Sequence, residues 1–357
     1  QEVIRLENKR LLLRVEKKRP AELARWMQLS VNRKRAAEAI LPGRIRTLDF
    51  DEEGMPFLPI YPPVTSEEIR IGHPVSRASL FSFTTKMGCA SFSLAAGPMG
   101  ARGTCHAANL PKEGPNGFVA LARAAEAEGS RVDLPAIEAG RREPKDVKSV
   151  PLDRISGMWI CGACYAGKAD YVYDSIACYM AAKKIWVERS LADGTFVLQM
   201  KTALERVLSN DALMRGKLAS GNHFRIHDSG DFYRIPFGEN PFAYFDGWAE
   251  VIASLPQVRF WAPTRMWVFP DWRKHMVETF ARYGTKLSNF SLRPSALVYG
   301  SLAPMIAGLP AGSTSASGEL PETWECPAYK SVEGSCVGAC CRTCWDRPDV
   351  PVSYHTH

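Results

Sequence analysis

His223-Phe224-Arg225-Ile226-His227 is followed at once by Asp228-Ser229-Gly230-Asp231, and together they read as a short strand closed by a polar turn. Phe224 and Ile226 alternate with polar neighbours, the two-residue period of a sheet with one buried face. Working outward, Phe242 to Leu255 carries helical spacing, Val258 to Ala262 is a strand, Asp271 to Tyr283 a helix and Asn289 to Leu292 another strand. Upstream, residues 170–190 and 195–218 read as two helices, and Ser91-Phe92-Ser93-Leu94-Ala95 as a short strand. Strands alternating with long helices predict parallel β-α units. The expected fold class is therefore α/β, a (β/α) barrel that is irregular or incomplete, since fewer than eight strands can be counted. No G-x-G-x-x-G follows these strands and no G-x-x-x-x-G-K-[ST] occurs, which leaves a dinucleotide site or a P-loop unsupported.

The 357 residues are 46% hydrophobic and 23% charged, the composition of a folded chain rather than a disordered one. The net charge of +7 is unevenly placed: 13 of the 45 Lys/Arg and 6 of the 38 Asp/Glu lie in the first fifty residues, so the remainder is formally neutral. Residues 1–80 are read as a basic helical arm, interrupted at Pro20 and stopped at Pro42-Gly43, with an irregular proline-dotted linker over residues 52–80. Clustered Lys/Arg supply sequence-independent affinity for phosphates, so nucleic acid, DNA or RNA, is the expected partner; a solvated helical face is the plainer alternative. Residues 81–320 form the catalytic core, with an inserted loop region at 101–155 around one short helix, Phe118 to Ala127. Residues 321–357 are a Cys/His tail. The longest charge-free stretch, Pro294 to Gly318, is broken by Pro, Gly and Ser, and early basic residues leave no apolar signal region. No membrane span and a cytoplasmic location are expected.

The polar turn is the candidate catalytic segment. Asp228 and Asp231 sit where a strand ends, the place where parallel α/β folds bind ligands. They could act as base and nucleophile or together hold a divalent ion, with His227 as a titratable neighbour. A capped turn without catalysis would need the same residues. Arg225, Ser229, Gly230 and Phe232 complete the expected substrate-binding surface. Arg265, in Pro263-Thr264-Arg265, and Arg293, in Arg293-Pro294-Ser295, end the next two strands, where arginines can grip phosphate or instead bridge to the aspartates.

The ten cysteines fall in two groups. Cys326, Cys336, Cys341 and Cys344 with His357 are the expected zinc ligands, since tetrahedral zinc wants four thiolate or imidazole donors and often a C-x-x-C turn. Cys340 in place of Cys341, and His355 in place of His357, stay open. Cys161 and Cys164 form a second C-x-x-C that, with Cys105 or Cys89, could hold a second zinc or an iron–sulfur cluster, or act as a redox pair.

The order C-x-x-C-Y-A, R-I-H-D-S-G-D-F, and a final run through C-x-x-C-W to a terminal His resembles the phage-associated gene product 88 family over about Met87 to His357. That family implies a viral or mobile-element origin and, for a phage protein, the host cytoplasm, more than a reaction. Asp228-Ser229-Gly230-Asp231-Phe232, then Pro263-Thr264-Arg265, then the cysteine tail also resembles, more faintly, the tRNA-guanine transglycosylases and their DNA-acting phage relatives. This second likeness implies a (β/α) barrel, a C-terminal zinc site and base exchange, with Asp228 as general base. Arg259 stands where the nucleophilic carboxylate would precede Pro263-Thr264-Arg265, so Asp231 or Asp246 would take that part. Three functions are carried forward: a zinc-containing base-exchange enzyme acting on nucleic acid, an iron–sulfur or radical-type enzyme using Cys161 and Cys164, and a non-catalytic zinc nucleic-acid-binding protein.

Overall fold

The computed structural model describes residues 47–64, 75–84, 87–96, 104–141, 157–160, 174–210, 222–316, 318–331 and 334–355. The basic arm up to residue 46 lies outside these, as do Cys161, Cys164 and His357.

Three strands come first: β1 (Asp49–Phe50), β2 (Pro56–Val64) and β3 (Val75–Ser79), paired antiparallel in the order β1-β2-β3. Here the expectation of irregular chain is corrected. Leu58 pairs with Ala78, and Leu58, Ile60 and Ala78 are buried, so alternation outweighs the prolines. The prolines cost regularity instead, with a register shift between Pro59 and Val64.

The central sheet has five strands in the order β4-β5-β6-β7-β8: β4 (Ser82–Thr84), β5 (Cys89–Phe92), β6 (His223–Ile226), β7 (Arg259–Thr264) and β8 (Phe290–Pro294). The strand β4 runs antiparallel to β5, and every later pairing is parallel, with Phe92 opposite Ile226, Arg225 opposite Trp261 and Pro263 opposite Arg293. Between β5 and β6 the chain forms α1 (Phe118–Ala127), α2 (Leu134–Ala139), α3 (Asp174–Ala192) and α4 (Phe196–Ser209). Single helices follow, α5 (Ala243–Ser254) between β6 and β7 and α6 (Pro270–Tyr283) between β7 and β8. The apolar residues of β6 meet the helices: Phe224 lies 6.0 Å from Trp248 of α5 and 5.9 Å from Phe260 of β7. Large side chains sealed this way contribute about 2–3 kcal/mol each. Where α5 ends, buried Asn289 donates its amide to the carbonyls of Ile252, Leu255 and Val258, which ties the helix end to β8.

A small parallel sheet, β10-β11-β9, completes the order with β9 (Ser313–Ala316), β10 (Trp324–Glu325) and β11 (Val352–His355); the turn-long helix α7 (Thr343–Asp346) precedes β11. One parallel bridge, Ser295 to Ser313, links the end of β8 to β9. The fold is thus mixed α/β, but among the described residues no barrel closes. Two things prevent it: β4 enters antiparallel as a short edge, and the chain after β8 leads into loops and the tail rather than another β-α unit.

The segment expected as an inserted loop is also more ordered than foreseen. Helices α1 and α2 build a second hydrophobic cluster in which Phe118 and Trp159 lie 4.1 Å apart and Trp267, Val298 and Ile306 are buried. Buried Arg273 of α6 clamps it to the main core through two 2.8 Å bonds to Glu128 and bonds to the carbonyls of Trp267 and Val268. Among the described residues, no helix is long and apolar enough to cross a membrane.

Candidate functional site

The turn after β6 is fastened on three sides. Backbone N–H of His227 donates to Phe92 O at 2.7 Å, and Ser229 Oγ donates to Leu94 O at 2.8 Å, which binds the turn to the end of β5. Gly230 has φ +84°, and a Cβ there would lie 2.7 Å from Thr104 Oγ1 and 2.9 Å from Leu94 O, so the position requires glycine. Asp231 is the buckle to β7. Its Oδ1 accepts from Phe232 N at 2.8 Å and Thr264 Oγ1 at 2.7 Å, and its Oδ2 from Arg265 N at 2.8 Å. Burial pushes this carboxyl up to about 6, opposed by those same donors.

The residues expected to act together therefore separate. His227, at φ +64°, turns its ring into the core, edge-on to Phe232 at 4.6 Å and with Nε2 2.9 Å from Tyr244 Oη. Burial lowers its pKa to about 3, so the ring is neutral. Asp231, His227 and Phe232, expected in the catalytic and substrate-binding surface, are all buried, and their hydrogen bonds and ring contacts support the turn. Ser229 and Gly230 likewise serve the turn's own geometry.

Asp228 is different. Its side chain is one-fifth exposed, 20%, and Oδ1 accepts from Arg225 Nη1 at 2.6 Å. The guanidinium of Arg225 lies 4.5 Å above the ring of Trp261, with Nη1 3.2 Å from Met87 Sδ. Below this pair is buried Cys89, whose thiol burial pushes up to about 12 against the pull of Arg225 and Arg342. Carboxylate and guanidinium thus meet at the carboxyl ends of parallel strands, where one group can exchange a proton and the other can hold an anion.

The other two arginines are employed elsewhere. Arg265 sends Nε to Ala296 O at 3.2 Å and lends its N–H to Asp231. Arg293 is fully buried and donates to six carbonyls, those of Ala311, Gly312, Thr343, Cys344, Arg347 and Val350. Every edge of its fork is used inside the protein, so it holds the tail against β8 and has no donor to offer a substrate. Asp246, on α5, is bound by His275 at 2.7 Å and Asn240 at 2.8 Å, a helix-to-helix tie.

In the tail, burial is the main cause that raises the Cys344 thiol, and Cys326 and Cys341 add to it only in a minor way. Among the described residues, no group of three or more His, Cys, Asp and Glu is arranged to hold a metal ion. Buried Cys344 has its sulfur 3.2 Å from Tyr354 Oη, and burial pushes its thiol up to about 11. Glu325 pairs with Ser353, so alternation puts Glu325 and His355 on one face of β10–β11 and Tyr354 on the other. His355 accordingly binds Glu325 through Nε2 at 2.6 Å and stacks on Tyr329 at 3.4 Å, facing away from Cys344. Cys105, next to the Thr104 that receives Asp231 N–H, is half-buried.

Met87 and Arg342 join the surroundings of Asp228 without having been singled out in the sequence as site residues, and Cys89, expected as a possible metal or cluster ligand, lies there as a buried thiol. The signal for Arg342 was its place inside Cys341-x-x-Cys344, a turn read only for its thiols.

The fold and site define a mixed α/β protein with a carboxylate–arginine pair at the carboxyl ends of its parallel strands. The model of one family, Gene product 88, matches residues 72–299, about two thirds of the chain and all of the central sheet. This chain belongs to the gene product 88 family. No curated protein and no solved structure matches it.

Proposed function

We propose that this protein is an enzyme acting on nucleic acid, with Asp228 as the carboxylate that moves protons and base exchange of the guanine or 7-deazaguanine kind as its reaction. The observation that carries the reading is the contrast within one turn: Asp228 is partly exposed on Arg225, whereas Asp231 is buried and occupied by three donors. In base exchange one glycosidic C–N bond breaks and another forms, and the leaving base gains the proton that the incoming base gives up. A single carboxylate at the mouth of the site serves both transfers. Neither Asp231 nor Asp246 is assigned as nucleophile here, because hydrogen bonds within the fold occupy both carboxylates. Purified protein supplied with labelled guanine or a 7-deazaguanine should incorporate it into DNA or RNA, and Asp228→Asn should reduce the rate at least a hundredfold. Exchange at the wild-type rate in that variant would remove Asp228 from the chemistry.

Zinc in the cysteine tail belongs to the same proposal as a structural ion, supported by the donor types Cys326, Cys336, Cys341 and Cys344 and the C-x-x-C spacing of the last two; no step of the reaction runs through it. His355 is left out of its ligands because it faces Glu325. Elemental analysis of the purified chain should find zinc in a colourless protein. Visible absorption from iron and sulfide would favour a cluster at Cys161 and Cys164 instead, and a metal-free folded chain would end the zinc reading.

A further inference from the structure

The tail brings a second guanidinium to the site. Arg342 donates Nη1 to the carbonyl oxygen of Met87 at 2.8 Å, while Arg225 has Nη1 3.2 Å from the sulfur of the same residue. Two arginines far apart in the chain therefore converge on Met87. Each lies over a buried indole, Arg225 over Trp261 at 4.5 Å and Arg342 over Trp345 at 5.6 Å. The two indoles meet edge to face with centroids 5.2 Å apart, so the two cation–indole pairs adjoin. Asp228 is bonded to the first guanidinium, and Cys89 lies within the field of both arginines and of Asp228. Asp346, next to Trp345 in the chain, is bound to His223 at 3.2 Å.

A guanidinium stacked on an indole is held in one plane with its N–H fork fixed, which suits a tetrahedral oxyanion better than a freely moving ammonium does. We propose that Arg225 and Arg342 form a phosphate subsite that seats one phosphate of the nucleic-acid substrate beside Asp228. The proposal rests on the reading of this site as a nucleic-acid enzyme and adds what holds the substrate there. It also gives the tail a part in recognition, since Arg342 lies outside residues 72–299 matched by the family.

The experiment uses the full chain and a fluorescently labelled single-stranded oligonucleotide, titrated at several salt concentrations. Each phosphate contact contributes about one to the slope of log affinity against log salt, so Arg342→Met should lower the slope by about one. Its affinity at low salt should fall about tenfold or more, the loss of one charge-assisted contact. Slopes are compared between variants of one chain, so the contribution of the basic arm cancels. Arg342→Lys, which keeps the charge but not the fork, should retain the slope with an intermediate loss of affinity, and it serves as the test if the methionine variant fails to fold. Wild-type slope and affinity in a folded Arg342→Met would overturn the subsite, as would a wild-type chain that does not bind the oligonucleotide. Binding that depends on Arg342 in a chain without exchange activity would overturn base exchange and leave the subsite standing. Asp228→Asn should reduce exchange at least a hundredfold without lowering the slope, and a slope that falls with it would overturn the separation of the two groups.

Discussion

Arg293 offers a demanding test, because a conservative substitution there should be costly. Its five N–H donors reach six carbonyls, the shortest contacts being Val350 O at 2.7 Å, Arg347 O at 2.8 Å and Thr343 O at 3.0 Å. Lysine in its place keeps the charge but has three donors on one nitrogen, so at least two of the arginine's donor directions are lost. Hydrogen bonds to a charged group contribute about 1.5–3 kcal/mol each, and a buried carbonyl left bare costs about 1–3 kcal/mol. Arg293→Lys should therefore destabilise the protein by about 3–5 kcal/mol, a large share of the roughly 5–15 kcal/mol that stabilises a typical domain. Denaturant unfolding followed by tryptophan fluorescence measures this. Limited proteolysis in parallel should show the tail cut earlier than the β6–β8 region. A lysine variant within about 1 kcal/mol of wild type would refute the arginine as the tail's anchor. If a chelator loosens the tail and Arg293→Lys does not, a metal holds it.

Two further outcomes follow from the turn after β6. His227 is held neutral with its pKa lowered from 6.5 to about 3, whereas the unfolded chain takes up a proton near 6.5. Its contribution is complete above that pH and is lost as pH falls, by about 2 kcal/mol near pH 5 and about 4 kcal/mol near pH 3. The substitution His227→Asn introduces a side chain that tolerates the positive φ and does not titrate, so the variant's unfolding midpoint should vary less with pH between about 7 and 4. Parallel pH profiles would show that His227 is not the group responsible. Gly230→Ala should cost about 2 kcal/mol or more from its positive φ alone and further stability from the contact with Thr104 and Leu94, measurable as a lowered melting temperature. An unchanged melting temperature would mean that the turn can open without loss.

How much of this was legible in the chain differs from one element to the next. The β6–α5–β7–α6–β8 run was readable because each element carries its own period, and its observed limits differ from the expected ones by a residue or two. Strand β2 was hidden because prolines are a local signal of irregularity, while the pairing of Leu58 with Ala78 is a distant fact. The open sheet was hidden for a related reason: parallel units written one after another look the same whether or not the ends meet. At the site, sequence placed Asp228 and Asp231 together but could not rank them. Their difference arises from the positive φ of His227 and from Thr264 and Arg265, which arrive from another strand. Arg293 looked like a phosphate grip because an arginine at a strand end is ambiguous until its acceptors are known. Arg342 was missed because its partner, Met87, lies 255 residues away in the chain.

The arginine at the end of β8 has a consequence for how the protein is made. All six of its acceptors emerge from the ribosome after the whole central sheet, and four of them, Thr343, Cys344, Arg347 and Val350, come from the tail. Until they arrive, β8 carries a cation that cannot be sealed in without them, and burying an unmatched charge is strongly unfavourable. A product terminated before Thr343 would therefore leave its last central strand unsealed and open to proteases.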